Sequence, residues 1–230
     1  MILSGLVKSS TVDFPGCLSA VLFAPGCNFD CFYCHNRQLL GQHPPQIEIE
    51  DVLDFLDRRR NLLDGVVFSG GEPTLQEGLV DLIVKIRRMG YSVKLDTNGT
   101  NPGLLGRLIQ SSLVDYVAID LKAPWAKYPS ICRCRAADVT FVQQSFRLLA
   151  SSGLDWEART TVIPQLSLED LEAMASAIPP APNFFLQRYF RPHISRPEDR
   201  FMLDRPGYTP AQLLSMAEKL RQWQPCILVR

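Results

Sequence analysis

Hydrophobic positions along this chain follow two alternating rhythms. Short runs rich in branched and aromatic residues cover 18–24, 65–69, 92–96, 116–120, 156–162 and 184–190. Runs of that length and composition predict strands. Between them the apolar residues space out: Val52, Phe55 and Leu56 fall at i, i+3 and i+4, and Leu79, Leu82, Ile83 and Ile86 repeat the spacing. That spacing predicts helices with one buried stripe. Further helices are predicted over 102–110, 139–151, 168–177 and 210–223. Strands alternating with helices predict an α/β fold around a parallel sheet. Six β–α units are too few for a complete eight-fold barrel, so a partial TIM-type barrel of about six units is expected.

No repeat or low-complexity tract interrupts this rhythm. Pro179-Pro180-Ala181-Pro182 reads as a rigid spacer before a strand, and the polar, proline-punctuated stretch 191–206 as a loop beyond the last barrel strand. A single domain over 1–230 is therefore expected, with any C-terminal extension starting at about 191. A chain of this size buries roughly 70% of its extended surface, so it needs no metal merely to fold.

Charge narrows the partners. The 24 basic and 24 acidic residues cancel, leaving no general electrostatic pull toward nucleic acid or an anionic membrane. Lys8-Ser9-Ser10-Thr11 follows Met1-Ile2-Leu3 before a signal-peptide core develops, and no run of eighteen apolar residues exists. Seven cysteines, three of them clustered, read as metal chemistry in a reducing cytoplasm rather than as a disulfide framework.

The cluster is Cys27-Asn28-Phe29-Asp30-Cys31-Phe32-Tyr33-Cys34, three thiols in eight residues with no fourth cysteine nearby. Soft thiolates select Zn, Cu(I) or iron–sulfur centres. A [4Fe–4S] cluster held wholly by protein needs four cysteines, so the fourth position is filled from far away or kept open for a ligand. The competing reading is a zinc loop closed by His35, for which direct adjacency to Cys34 gives poor geometry. Three other polar groups also stand at expected strand ends, where α/β barrels build their sites. They are Gly70-Gly71-Glu72-Pro73, Asp96-Thr97-Asn98-Gly99 and Asp120-Leu121-Lys122. Taken singly, each also has a structural reading: a Gly-Gly turn with Glu72 at the rim, an Asx turn and a rim salt bridge.

The spacing CxxxCxxC resembles that of radical S-adenosylmethionine (SAM) enzymes. Beyond it, the chain is similar to the activating enzymes of glycyl-radical proteins, above all those of anaerobic ribonucleotide reductase and of pyruvate formate-lyase. The resemblance implies a [4Fe–4S] cluster on Cys27, Cys31 and Cys34, with the amino and carboxylate groups of SAM on the fourth iron. It implies that Gly70, Gly71 and Glu72 meet the amino group of SAM, and that Asp96, Thr97 and Asn98 face its ribose. In the pyruvate formate-lyase type the latter segment also helps hold a monovalent cation. Asp120 and Lys122 match a second such segment, Tyr33 an aromatic beside the adenine, and Arg159 an arginine near SAM. Arg188 stands where the pyruvate formate-lyase type tends to have histidine. A guanidinium does not titrate near neutrality, so only positioning of the cofactor carboxylate carries over. No side chain is assigned as a catalytic acid or base.

The implied reaction is reductive cleavage of SAM to a 5′-deoxyadenosyl radical, which abstracts a glycine α-hydrogen from a glycyl-radical enzyme. Flavodoxin or ferredoxin is the implied electron donor. Asp13-Phe14-Pro15-Gly16, Lys122-Ala123-Pro124-Trp125 and Arg159-Thr160-Thr161-Val162 resemble ribonucleotide reductase activators. Two readings compete: a small-molecule enzyme resembling 7-carboxy-7-deazaguanine synthase, and a noncatalytic Fe–S or metal-binding module. Cys132-Arg133-Cys134 reads as idle thiols or as an auxiliary redox or metal pair, and Cys17 and Cys226 as small buried hydrophobes. His43 and His193 lack ligand-like spacing to the cluster.

Overall fold

The structure is a computed structural model that describes residues 1–41 and 43–230. The described residues form eight strands: β1 (Gly5–Ser10), β2 (Ser19–Ala24), β3 (Gly65–Gly70), β4 (Ser92–Thr97), β5 (Tyr116–Asp120), β6 (Asp155–Val162), β7 (Asn183–Arg188) and β8 (Ile227–Val229). Their helices are α1 (Ile49–Asp57), α2 (Leu79–Arg88), α3 (Pro102–Gln110), α4 (Tyr128–Cys132), α5 (Ala136–Ser152), α6 (Leu168–Ser176), α7 (Arg200–Leu203) and α8 (Pro210–Leu220). The strands lie in chain order in one sheet that ends at β1 and β8 rather than closing. β1 runs antiparallel to β2, whereas β2-β3-β4 and β6-β7-β8 are parallel. This is the partial-barrel α/β class that the hydrophobic rhythm predicts.

All six expected strands are present, and two lie beyond them. β1 carries Lys8-Ser9-Ser10 and is half-exposed throughout, while β8 is three residues long with Leu228 exposed. Edge strands of this kind lack the dense apolar run by which a central strand is recognised. One-turn α4 and α7 are too short to show a helical period.

The chain forms two compact units. The first comprises Met1–Cys27, Gln38–Thr97 and Gly103–Ala118; the second comprises Asn28–Arg37, Asn98–Pro102 and Ile119–Arg230. In the first, Ala20, Val21 and Leu22 pair with Val66, Val67 and Phe68, all buried, and the stripes of α1 and α2 predicted from spacing are buried as well. Phe14, Val21, Val67 and Tyr116 form a cluster that Cys17 and Phe23 flank. Phe14 is held there by the turn of the Asp13-Phe14-Pro15-Gly16 segment. Asp13 accepts from Ser10 Oγ at 2.5 Å, and Gly16 takes φ +74°.

In the second unit, Trp125, Phe146 and Trp156 make successive edge contacts, and Tyr128 packs against Trp125 and Phe29. Gln224 is buried, accepts from Ala181 N and donates to Ala175 O, both at 2.9 Å, which pins the proline spacer. The segment 191–206 is more ordered than its composition implies. It contains α7 and the fully buried Asp199, whose carboxylate accepts from Arg133. Cys17 is only half-buried and Cys226 is exposed, so neither is the buried hydrophobe expected. Burial is set by sheet position, and Cys226 precedes an edge strand. No helix among the described residues is long and apolar enough to cross a membrane.

Candidate active site

In the first unit, the Gly-Gly-Glu segment follows β3 and grips the chain leaving β2. Gly71 N donates to Ala24 O and Glu72 N to Gly26 O, both at 2.8 Å. Gly70 has φ +117°, and a Cβ there would lie 2.5 Å from Ala24 N; a Cβ on Gly71 would lie 1.9 Å from Gly26 O. The two glycines are thus required by backbone packed against backbone, immediately before Cys27. Glu72 is fully buried rather than at the rim. Its Oε1 accepts from Thr74 N at 3.1 Å, Thr74 Oγ1 at 2.6 Å and Thr97 Oγ1 at 2.8 Å. The carboxylate is therefore fixed in direction by the end of β4.

Asp96 is fixed as firmly, by a residue that the motifs did not single out. Lys94, two positions earlier and so on the same face of β4, is 2% exposed. Its Nζ lies 3.0 Å from Asp96 Oδ1, donates to Asp13 O at 2.5 Å and stands 5.7 Å from the Tyr116 ring centre. Ser69 Oγ donates to Asp96 Oδ2 at 3.1 Å.

In the second unit, Asn98 Nδ2 donates to Asn28 Oδ1 at 2.9 Å, and Asn28 Nδ2 to Thr100 Oγ1 at 3.0 Å. Thr100 Oγ1 in turn donates to Asn98 Oδ1 at 2.7 Å. This closed amide–hydroxyl set ties the cysteine segment to the turn after β4. Gly99 completes the turn with φ +79°, its carbonyl accepting from Ser145 Oγ at 2.6 Å.

At the end of β5, Asp120 Oδ2 accepts from Lys122 Nζ at 2.9 Å and Oδ1 from Arg159 Nε at 3.1 Å. Burial alone would push this carboxyl up, but the two cations outweigh it and hold it at about 2. Burial acts on Lys122 in the opposite sense, yet Asp120 leaves its ammonium more firmly protonated than usual. Buried Tyr128 locks the turn from behind. Its hydroxyl accepts from Lys122 N at 3.0 Å and lies 3.4 Å from Asp120 O.

The cysteine segment is held on several sides. Arg37 donates to Asp30 Oδ1 and to Cys31 O, both at 2.8 Å, and Arg196 from the 191–206 stretch also pairs with Asp30. Asp30 N donates to Cys132 O at 2.8 Å. Tyr33 is buried, 5.3 Å from Phe32 edge-on. Arg188 is exposed, its guanidinium 5.1 Å from the Phe190 ring centre. Lys94, Ser69, Asn28, Thr100 and Tyr128 escaped the motif reading. Only Lys94 carries a sequence signal, its i, i+2 relation to Asp96 in a strand.

A profile of the Radical SAM superfamily matches residues 21–178. The chain belongs to that superfamily. This radical SAM protein is 34% identical over 193 residues to a putative glycyl-radical enzyme activating enzyme of Methanocaldococcus jannaschii, covering 82% of this chain and 80% of the relative. It is 35% identical over 97 residues to a probable GTP 3′,8-cyclase of Pyrococcus abyssi, which is 41% of this chain and 31% of the cyclase. Among solved structures, Streptococcus suis SuiB bound to S-adenosylmethionine superposes with a TM-score of 0.68 at 14% identity, covering 91% of this chain and 51% of SuiB. That likeness is one of fold. Membership of the superfamily makes this chain an enzyme of the oxidoreductase type, with chemistry on SAM.

Among the described residues, no three His, Cys, Asp or Glu side chains are gathered as a metal-holding group. The donor set nevertheless fits an iron–sulfur cluster in kind. Three thiols lie within eight residues, and the one carboxylate among them, Asp30, is engaged by Arg37 and Arg196.

Proposed function

We propose that this radical SAM enzyme activates a glycyl-radical enzyme, with anaerobic ribonucleotide reductase as the partner its motifs favour. The observation that carries the reading is the similarity to the M. jannaschii putative activating enzyme, which runs through 82% of this chain and 80% of that one. The match to the probable cyclase spans only 31% of that protein, which supports shared cofactor chemistry rather than a shared substrate.

In this reading Cys27, Cys31 and Cys34 hold a [4Fe–4S] cluster by three irons. When bound, the cluster supplies the electron that splits the S–C5′ bond of SAM into methionine and a 5′-deoxyadenosyl radical. The protein's own part is placement. Gly70 and Gly71 set the turn that anchors the chain before Cys27, and Glu72, held by Thr74 and Thr97, receives the SAM ammonium. Asp96, with Thr97 and Asn98, takes the ribose side, its direction set by Lys94 and Ser69. Tyr33 covers the adenine. Lys122 and Arg159 face the cofactor carboxylate while Asp120 stays ionised between them. Arg188, exposed at the end of β7 beside Phe190, contributes its fixed positive charge to positioning the cofactor carboxylate. The hydrogen would come from a glycine Cα of the partner, so that the products would be 5′-deoxyadenosine and a glycyl radical. Flavodoxin or ferredoxin is the proposed electron source.

The test is anaerobic reconstitution and reduction, with and without the partner reductase. Expected are 5′-deoxyadenosine, absent from a Cys27/Cys31/Cys34 triple alanine variant, and a glycyl-radical EPR signal on the partner. Formation of 5′-deoxyadenosine with no radical on any glycyl-radical enzyme, but with consumption of a purine substrate, would replace this reading with the small-molecule one.

A further inference from the structure

The loop between β7 and α8 carries exposed side chains for which cofactor binding has no use. Phe190, Ile194 and Phe201 are 59%, 52% and 72% exposed, three large apolar groups in one short stretch. The stretch is nevertheless pinned. Tyr189 Oη donates to Leu203 O at 3.4 Å, Arg191 pairs with Asp204 at 2.5 Å, and Gln165 Nε2 donates to Met202 O at 2.8 Å. Its two limbs therefore lie side by side, as in an Ω-loop, and the apolar groups stand on a fixed surface. The other side of the loop meets the cysteine segment: Asp199 accepts from Arg133, and Arg196 pairs with Asp30, the residue before Cys31. Charge on the loop is one-sided. Asp199 is buried on Arg133 and Asp204 is engaged by Arg191, while Glu198 lies 3.9 Å from Arg196. Arg200 and Arg205 are exposed and form no ion pair among the described residues. A chain of zero net charge thus presents a local positive excess beside exposed aromatic surface.

We propose that this loop, with Phe201, Arg200 and Arg205 at its centre, is the docking surface for the electron donor, a small redox protein with an acidic rim around its prosthetic group. The inference rests on the reading that the cysteine segment holds a reducible cluster. Reductive cleavage of SAM consumes one electron, which this chain does not generate; it passes from the reduced donor, itself oxidised by one electron, to the cysteine-held centre. Such a donor has to approach the cysteine segment, and the Arg196 to Asp30 pair puts the loop directly against it. Redox encounters use small, transient interfaces and rely on opposite charge for steering. A few apolar side chains beside unpaired arginines match that pattern, and an acidic rim answers the arginines. The radical acceptor must instead be held through a hydrogen transfer at the cofactor, a task for a larger interface.

The experiment measures calorimetric binding of flavodoxin and of ferredoxin to the reconstituted full chain, at low and high salt, together with 5′-deoxyadenosine formation driven by each reduced donor or by dithionite. Wild type is compared with Phe201→Ser, with the pair Arg200→Glu and Arg205→Glu, and with a control pair of equal charge change, Arg107→Glu and Arg147→Glu, exposed positions on α3 and α5. Wild type should bind one of the donors, several-fold more weakly at high salt. The two loop variants should bind it about tenfold more weakly and lose donor-driven turnover to match, while their dithionite-driven turnover stays at the wild-type level. The control pair should match wild type throughout. Absence of binding to either donor overturns the proposal, as does wild-type donor affinity in both loop variants. Two further results would also overturn it: loop variants that keep donor affinity but no longer place a radical on the partner reductase, which would give the surface to the radical acceptor, and loop variants that convert a dimer to monomers in gel filtration, which would give it to a second copy of this chain. A wild-type chain that assembles no cluster overturns the cluster reading itself, and this inference with it; every other outcome is read on chains whose iron and sulfide content is complete.

Discussion

Glu72 shows how one side chain serves structure and chemistry together. Its Oε1 takes hydrogen bonds from Thr74 and Thr97 in a fully buried position, so removing it leaves buried hydroxyls without their acceptor. Glu72→Ala should cost about 1–3 kcal/mol in urea unfolding. Glu72→Gln keeps an oxygen for the same donors and should stay within about 1 kcal/mol of wild type. It removes the charge proposed to receive the SAM ammonium, so on that reading calorimetric SAM affinity should fall about tenfold or more. Equal SAM affinity in Glu72→Gln would show the carboxylate to be purely structural. The neighbouring glycine makes a sharper steric case. A Cβ on Gly71 would stand 1.9 Å from Gly26 O, a backbone atom that cannot swing aside. Gly71→Ala should therefore destabilise by about 1–3 kcal/mol or more and displace the chain just before Cys27. Unfolding midpoints check the first effect, and iron uptake on reconstitution the second.

β4 is the element where sequence and structure diverge most usefully. Its apolar run and its Asp-Thr-Asn ending were legible, as were the central strands, because Val66-Val67-Phe68 and Val93 to Leu95 are buried runs bounded by polar turns. Edge strands β1 and β8 were not, since half-exposed strands carry no such contrast. At the site, the motif residues were legible as types in order, but their fixing partners were not. Asn28, Thr100, Ser69 and Tyr128 act through register and turn geometry, which spacing along a chain does not encode. Lys94 illustrates the point. It reads as an interruption in a strand, yet it is the buried cation that answers Asp96. Removing one partner of a buried pair leaves the other charge uncompensated, so Lys94→Met should cost about 3–5 kcal/mol. Asp96→Asn added to it should recover part of that loss, giving a non-additive double-mutant cycle in chemical denaturation. The same pairing bears on the monovalent cation that the resemblance implied. Asp96 already faces Lys94, and Asp120 already faces Lys122 and Arg159. On these pairings SAM affinity should be unchanged when potassium or sodium is exchanged for choline at constant ionic strength; a tenfold dependence would show that a monovalent cation takes part.

For the molecule as a whole, a net charge of zero hides strongly ordered local charge, and acid is the condition that exposes it. Asp120 titrates at about 2 in the folded state, held there by Lys122 and Arg159 against the opposing effect of burial. In the unfolded chain an aspartate titrates near ~3.9. Between those values the unfolded state binds the extra proton, so stability falls as pH drops. The contribution is complete above the unfolded value and lost as pH falls from about 4 through about 2. A depression of roughly two units corresponds to at most about 2.5 kcal/mol, and less here because the Asp120 side chain is 28% exposed. Urea unfolding from pH 6 to pH 2 should therefore show wild type more stable than Asp120→Asn by on the order of 2 kcal/mol at pH 6, with the curves converging at the acid end. Parallel curves would mean that the carboxylate is not held by its two cations. The same measurement bears on the proposed function, in which Lys122 and Arg159 face a cofactor carboxylate, because ionised Asp120 holds both cations in place at the end of β5. An enzyme that loses SAM affinity over the same acid range as it loses this increment of stability would tie the ion-paired turn at the end of β5 to cofactor binding.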